Sequence, residues 1–383
     1  MRIVALDLGL RTTDWCEVRD GVVVARGRVG RTEELVEVLG PDEPPARVGF
    51  EACREAWSVN DQLRQWGNEP VMLDTTRVRA IGVGSHGRKN DRMDAEVLAI
   101  ALERGHVAVA HVLSDHGRRL REALEKHRAL TETRKRLVTH ARGLARGRGV
   151  LVPSCATDDF AKNLRGAHLP ESLQGLLEPL LPPLEQVTWQ LATVDLEVQQ
   201  LCEAGTNPVL DRLASVPGVS VLSAAAFMSV IDDPNRFRYA SDVVAYIGLC
   251  PSERSSGGKQ RLGAITKRGN SYLRWMLVQS AWCILRTRTG DPLGLWGHRV
   301  AARRGRMRAA VAVARRLARV LFSLWRDGTY YDPKVFAADK WASNEQQSQR
   351  QQVAAQRAAT KLRRQRRIHE QTRESSVGQE VTA

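Results

Sequence analysis

No stretch of this 383-residue sequence stays apolar for the roughly 18 residues that a membrane span needs. No signal-type leader is expected at its start. Cysteine is scarce and scattered: Cys16, Cys53, Cys155, Cys202, Cys250 and Cys283 include no C-x-x-C pair. That spacing argues against zinc and against a disulfide framework, and suits a reducing cytoplasm. Also missing are a recognition helix with a clear turn and a second Gly-rich phosphate loop. Positive charge is what the chain has in excess. Lys and Arg number 58 against 43 Asp and Glu, a formal net charge of +15. Such an imbalance suggests a polyanionic partner, most simply nucleic acid. Membrane surfaces attract the same charge, but nothing resembles an amphipathic anchor.

The length allows two or three domains with a proper core. Residues 1–110 alternate strand and helix. Arg2–Leu8 reads as a strand, and "RDG" at Arg19–Gly21 as a hairpin turn between two more. Helical Thr32–Leu39, a strand ending near Glu51, a helix with Trp57, Leu63 and Trp66 on one side, the strand "EPVMLD" and the helix "NDRMDAEVLAIALERG" follow. Three antiparallel strands, then helix, strand, helix, strand, helix is the element order of the ribonuclease H fold, with the fourth strand beside the first. The expected class is therefore α/β plus α.

Residues 111–204 have long helical periodicity, beginning with a densely basic amphipathic stretch. It reads as a solvated coiled-coil arm, or as a face laid along a nucleic-acid backbone. Residues 205–332 form a second compact, mostly helical unit. In it "VPGV" resembles a helix-hairpin-helix turn, and Ala301–Leu321 reads as a basic helix with Val311, Val313, Leu317 and Leu321 inward. The Gln/Arg-rich tail, 333–383, is too poor in apolar residues to fold alone.

Two constellations carry chemistry. In a ribonuclease H arrangement, Asp7 and Glu51 end the first and fourth strands and sit side by side. Asp91 and Asp94, three apart at a helix start, share a face. Taken alone, Asp91 and Asp94 are better explained by capping free amides and offsetting the helix dipole, and Asp7 by capping or hydrogen-bonding a nearby turn. Four converging on one place repel one another and need divalent cations, which hard oxygen ligands select as Mg²⁺ or Mn²⁺. Two such ions could bracket a phosphodiester.

The second constellation is "GLCPSERSSGGKQRLGAITKRGNSYLR". Ser255 and Ser256 precede Gly257 and Gly258, with Lys259, Arg261, Lys267 and Arg268 close behind. Glycines let backbone approach a phosphate, and the cations would neutralise it. A hydroxyl held there could attack phosphorus and form a covalent ester. The plainer account is a flexible basic loop, since no histidine stands beside the serines as a base.

In their order, "ALDLG", "GFEA", "KNDRMDAEVLA", "VPGV" and the serine loop resemble the DEDD transposases of bacterial insertion sequences, the IS-one-ten family. The resemblance covers roughly residues 1–330. It implies a RuvC-like first domain, a coiled-coil arm and a transposase domain. It implies that Asp7, Glu51, Asp91 and Asp94 hold the metal and that Ser256, with Ser255 as fallback, is a nucleophile forming a phosphoserine link. It also implies DNA as substrate, a structured noncoding bridge RNA as guide, and a dimer-to-tetramer assembly with shared active sites. Delegating sequence reading to base pairing would explain a basic chain without a base-reading motif.

Three other classes compete. A metal-dependent RuvC-like junction nuclease would use the carboxylates with no covalent intermediate. An actin-like ATPase or sugar kinase would use "DLGLRTT" as a phosphate loop but needs a second one. A non-enzymatic RNA-binding protein leaves the carboxylates unexplained.

Overall fold

The computed structural model describes residues 1–75, 91–152, 154–167, 169–203, 207–253 and 261–334. The chain divides into two compact units, Met1–Leu113 and one that begins at Ser114.

The first unit is built on an open five-stranded sheet. Strands β1 (Arg2–Leu8), β2 (Thr13–Arg19) and β3 (Val22–Val29) are antiparallel neighbours. Strands β4 (Ala46–Glu51) and β5 (Glu69–Leu73) continue the sheet in parallel, in the order β3-β2-β1-β4-β5. The fourth strand lies beside the first, as the element order requires. Asp20 and Gly21 turn the β2–β3 hairpin with φ of 54° and 76°, the left-handed pair that matches the twist of a two-residue loop.

Helices cover both faces. A 3₁₀ turn at Thr32–Leu35 runs into α1 (Val36–Leu39), which with α2 (Ala56–Gln65) packs on Val4, Leu6, Val48 and Phe50. Leu63 is buried there, while Trp57 and Trp66 stay half-buried at the edge. On the other face α3 (Asp91–Glu103) lays Ala95, Leu98, Ala99 and Leu102 over Ala5, Cys16 and Val18. Full burial of Leu98 and Leu102 contributes about 1.5–3 kcal/mol each. Glu103 pins the end of α3, accepting from the amides of Asp20 and Gly21 at 2.8 Å each.

The second unit is largely helical. The 33-residue α4 (Asp115–Gly147) spans roughly 50 Å. Beyond it come α5 (Phe160–Arg165), α6 (Glu171–Leu177) and α7 (Leu181–Glu203). Leu120 and Leu124 share a core with Val194 and Val198, whereas Val138 and Ala145 share one with Leu181 and Leu184. That reversal makes α4 and α7 an antiparallel pair.

Helices α8 (Pro208–Ala214), α9 (Val221–Ile231) and α10 (Ala240–Tyr246) follow, then a small hairpin of β6 (Pro251–Glu253) and β7 (Leu262–Ile265). Next come α11 (Ser271–Thr287), α12 (Pro292–Arg304) and α13 (Arg306–Asp327). The single basic helix expected over Ala301–Leu321 is interrupted at Gly305, whose φ of 85° ends α12 and begins α13. Val313, Leu317 and Leu321 are buried as expected. Arg316 is itself buried, with its guanidinium 4.6 Å from the Trp296 ring centre. The "VPGV" turn uses Gly218 for packing: φ is 83°, and a Cβ would come within 2.7 Å of Ile284.

Candidate functional site

The carboxylate positions follow from the alternation of the central strands. Val4 and Leu6 point to the α1–α2 face and Ala5 to the α3 face, so Asp7, one residue beyond Leu6, falls on the α3 face. Leu6 is paired with Phe50 across the parallel β1–β4 ladder. Glu51 is likewise one beyond Phe50 and takes the same face, so Asp7 and Glu51 end adjacent strands side by side. Both are half-buried. Two residues past Asp7 the chain bends, and Gly9 donates its amide to the Thr12 carbonyl at 3.0 Å. A Cβ on Gly9 would stand 2.6 Å from that oxygen. The glycine after the carboxylate is therefore a demand of the turn.

Asp94 is half-buried on α3, the helix covering this face. Asp91 opens the same helix, and its side chain lies outside the described residues. The structure brings Asp7 and Glu51 together. Among the described residues, however, no three His, Cys, Asp or Glu side chains gather closely enough to hold a metal ion. A carboxylate pair still suits Mg²⁺ or Mn²⁺, because Mg²⁺ commonly takes one or two protein carboxylates and completes its shell with water and substrate phosphate. The donor chemistry fits the ion.

One residue of this neighbourhood is absent from the sequence reading. Asp14 stands directly opposite Asp7 in the β1–β2 register and is only 2% exposed. It shares the face of Cys16 and Val18, hence that of Asp7. Arg28, opposite Asp14 on β3, donates to it from Nε and Nη2 at 2.8–3.1 Å. The alternation in "DWCEV" was the signal for Asp14: a carboxylate in phase with two buried residues.

In the second unit, Ser255, Ser256 and Lys259 lie outside the described residues. The hairpin on either side of them is described. Arg261, Lys267 and Arg268 are exposed around it. Its base is locked by close backbone contacts. Gly248 and Gly269, with φ of 75° and 73°, sit where a Cβ would strike the backbone of Arg268 and Tyr246 respectively. Arg274 Nη1 donates to the carbonyls of Ile247, Arg268 and Gly269 at 2.6–3.1 Å. Lys267 holds φ of 56°, and its amide donates to the Gly248 carbonyl. The motif glycines thus shape the loop's support.

An open sheet of ribonuclease H-like order, with carboxylates ending its central strands and a basic helical region beyond, is the framework of a DNA-processing enzyme. Residues 4–147 match the DEDD transposase family typified by IS110, and residues 210–292 match the transposase family of IS116, IS110 and IS902. The transposase for insertion sequence element IS1111A of Coxiella burnetii is 30% identical over 343 residues, 86% of this chain and 91% of the relative. The transposase for insertion sequence element IS1328 of Yersinia enterocolitica is 25% identical over 338 residues, 86% of this chain and 98% of the relative. The chain belongs to the IS110/IS1111-type family of DEDD transposases.

That membership corrects one expectation. The phosphoserine step at Ser256, or Ser255, does not stand: a family defined by its acidic set implies metal-dependent nuclease chemistry. Carboxylate-held ions can activate a free oxygen nucleophile, which removes the need for a protein hydroxyl. On membranes, no described helix is long and apolar enough to cross one.

Proposed function

We propose that this chain is a DNA transposase whose RuvC-like first unit cuts phosphodiester bonds with divalent metal and without a covalent protein–DNA intermediate. The observation that carries the reading is the placement of Asp7 and Glu51 at the ends of paired parallel strands, on the face that α3 covers. Asp91 and Asp94, at the start of α3, complete the proposed ligand set for Mg²⁺ or Mn²⁺. Bound there, the ion would polarise the scissile phosphate and lower the pKa of an attacking water. The chain's own contribution is to fix the oxygens. Leu6, Phe50 and the α3 leucines hold the two strand ends and the helix start in register. Arg28 neutralises Asp14, which keeps the charge beside Asp7 from growing by one more carboxylate.

Lys259, Arg261, Lys267 and Arg268 serve in this reading as phosphate contacts in the second unit. Target choice falls to a structured noncoding bridge RNA, and the active assembly is a dimer to tetramer. A formal charge of +15 with no base-reading motif supports the guide.

The test is the Asp7→Asn variant, assayed with element-end DNA, bridge RNA and Mg²⁺. Cutting should vanish while DNA binding persists. Full cutting by Asp7→Asn, or a denaturation-resistant protein–DNA adduct in the wild type, would overturn the reading.

A further inference from the structure

A cavity of 260 Å³ lies where α4 meets the start of α11 in the second unit, lined by Arg128, Thr131, Glu132, Lys135, Ser271, Tyr272 and Trp275. Its composition is unusual for this protein. Trp275 is 45% exposed, although Leu273, Met276, Leu277, Ala281 and Ile284 of the same helix are buried in the core. Its ring centre is 5.8 Å from that of Tyr272, tilted by 30°. Lys135 has no carboxylate partner among the described residues, and Arg128 pairs with Glu132 at 3.0 Å while its Nη1 reaches Ser271 Oγ at 3.4 Å.

The aromatic floor is held rigidly from behind. The Tyr272 hydroxyl is 3.1 Å from His127 Nδ1, and His127 Nε2 is 3.4 Å from Asp195 Oδ1. The Tyr272–His127 contact links α11 to α4 and places the ring beside which Trp275 stands, and Asp195 on α7 lies against the same histidine. A larger cavity of 1100 Å³ shares Glu132 and Lys135 with this one and runs on along α4 past Arg136, His140 and Arg148. Cationic side chains therefore line the helix as far as the exposed Trp275 ring. The groove beside β7 and α13 offers a contrast. It carries Arg304, Arg308 and Arg315 over an apolar floor, but no aromatic side chain lines it.

We propose that the Tyr272–Trp275 cavity binds one unpaired nucleotide of a DNA or RNA strand, its base stacked on Trp275 and its phosphates on Lys135 and Arg128. The inference rests on the reading of the chain as a nucleic-acid enzyme. Bases of every kind present a π-face, so an exposed indole flanked by cations recognises a single strand without reading its sequence. A duplex keeps its bases stacked on one another and cannot offer one to the cavity. Lys135, without a carboxylate partner among the described residues, supplies the phosphate charge, and the volume of 260 Å³ limits the site to about one base. Such a site would hold the strand that opens when DNA is cut or when an RNA pairs with one of its strands.

The test measures binding of fluorescent ten-residue oligo-dT and oligo-U, and of a duplex of equal length, to the full chain in EDTA. Without metal the carboxylate site does not contribute, so a failure of the cutting reading leaves this measurement unaffected. Trp275→Ala should weaken single-strand binding about fivefold or more, leave duplex binding within twofold, and be rescued in part by Trp275→Phe. Lys135→Gln should weaken it as well and reduce its salt dependence. Loss with oligo-dT, with oligo-U or with both supports the site and says which strand it takes. Unchanged single-strand binding in Trp275→Ala, or an equal loss for duplex, would overturn the proposal.

Discussion

Arg28 closes on the buried carboxylate of Asp14 with two nitrogens, at 2.8–3.1 Å, across the β2–β3 ladder. Asp14 is in turn opposite Asp7 across β1–β2. One transverse row of the sheet therefore reads Arg28, Asp14, Asp7, with Glu51 at the end of the next strand. Like charges directly opposite on neighbouring strands destabilise a sheet. The guanidinium offsets that repulsion on the side away from the proposed metal.

Removing the guanidinium should therefore cost stability. Arg28→Ala leaves a carboxylate that is 2% exposed without this partner. Breaking a fully buried pair costs about 3–5 kcal/mol, and the half-exposed guanidinium brings the expectation down to about 2 kcal/mol. Arg28→Lys should recover part of the loss, because an ammonium cannot make the forked contact. Urea melts of the three proteins check it, and an unchanged midpoint for Arg28→Ala would count against the pairing.

Metal affinity is the direct measure of the carboxylate pair. Glu51→Gln should weaken Mn²⁺ binding, read by calorimetry on DNA-free protein, by about tenfold or more, since it exchanges an ionised oxygen ligand for a neutral one. The variant should melt near the wild-type temperature, because Glu51 ends its strand and is only half-buried. Equal Mn²⁺ affinity in the two proteins would remove Glu51 from the ligand set.

How much of this was legible beforehand depends on distance along the chain. Asp7 and Glu51 could be placed because strand period and element order fix both the face and the neighbour. Asp14 escaped because a carboxylate in a strand looks like an ordinary solvent-facing position until β2 is known to be covered by α3. The Asp195–His127–Tyr272 chain spans 145 residues between its histidine and tyrosine. No local pattern announces it. The break at Gly305 was hidden by apolar periodicity that continues across the glycine, whose positive φ redirects the helix.

The hairpin base should be intolerant of a single methyl group. Gly248→Ala places a Cβ against the backbone of Arg268 at a φ of 75°. The left-handed conformation alone costs about 1–3 kcal/mol for a residue with a side chain, and the obstructing atoms belong to backbone, which cannot swing aside. Nucleic-acid affinity should fall together with melting temperature if the hairpin presents cations to phosphate. Wild-type affinity in a folded Gly248→Ala protein would separate the hairpin from binding.

Acid should loosen the second unit through His127. Burial holds its imidazole below the ordinary value of 6.5, Asp195 pulls the other way, and Arg134 adds to the lowering. Asp195 is itself pushed up by burial, and the Tyr272 phenol is raised far above its usual range, again chiefly by burial. At neutral pH the histidine is uncharged in both folded and unfolded chains and its contribution is fully present. As pH falls below 6.5 the unfolded chain takes a proton that the folded one refuses, so stability drops by up to about 1.4 kcal/mol per pH unit. Asp195 acts in the opposite sense, but only nearer its own range, above 3.8. Thermal melts between pH 7.0 and 5.5 should show a steeper decline for wild type than for His127→Gln, which has no proton to gain. Parallel curves would mean that His127 is protonated as readily in the fold as outside it, and that its burial does not govern its charge.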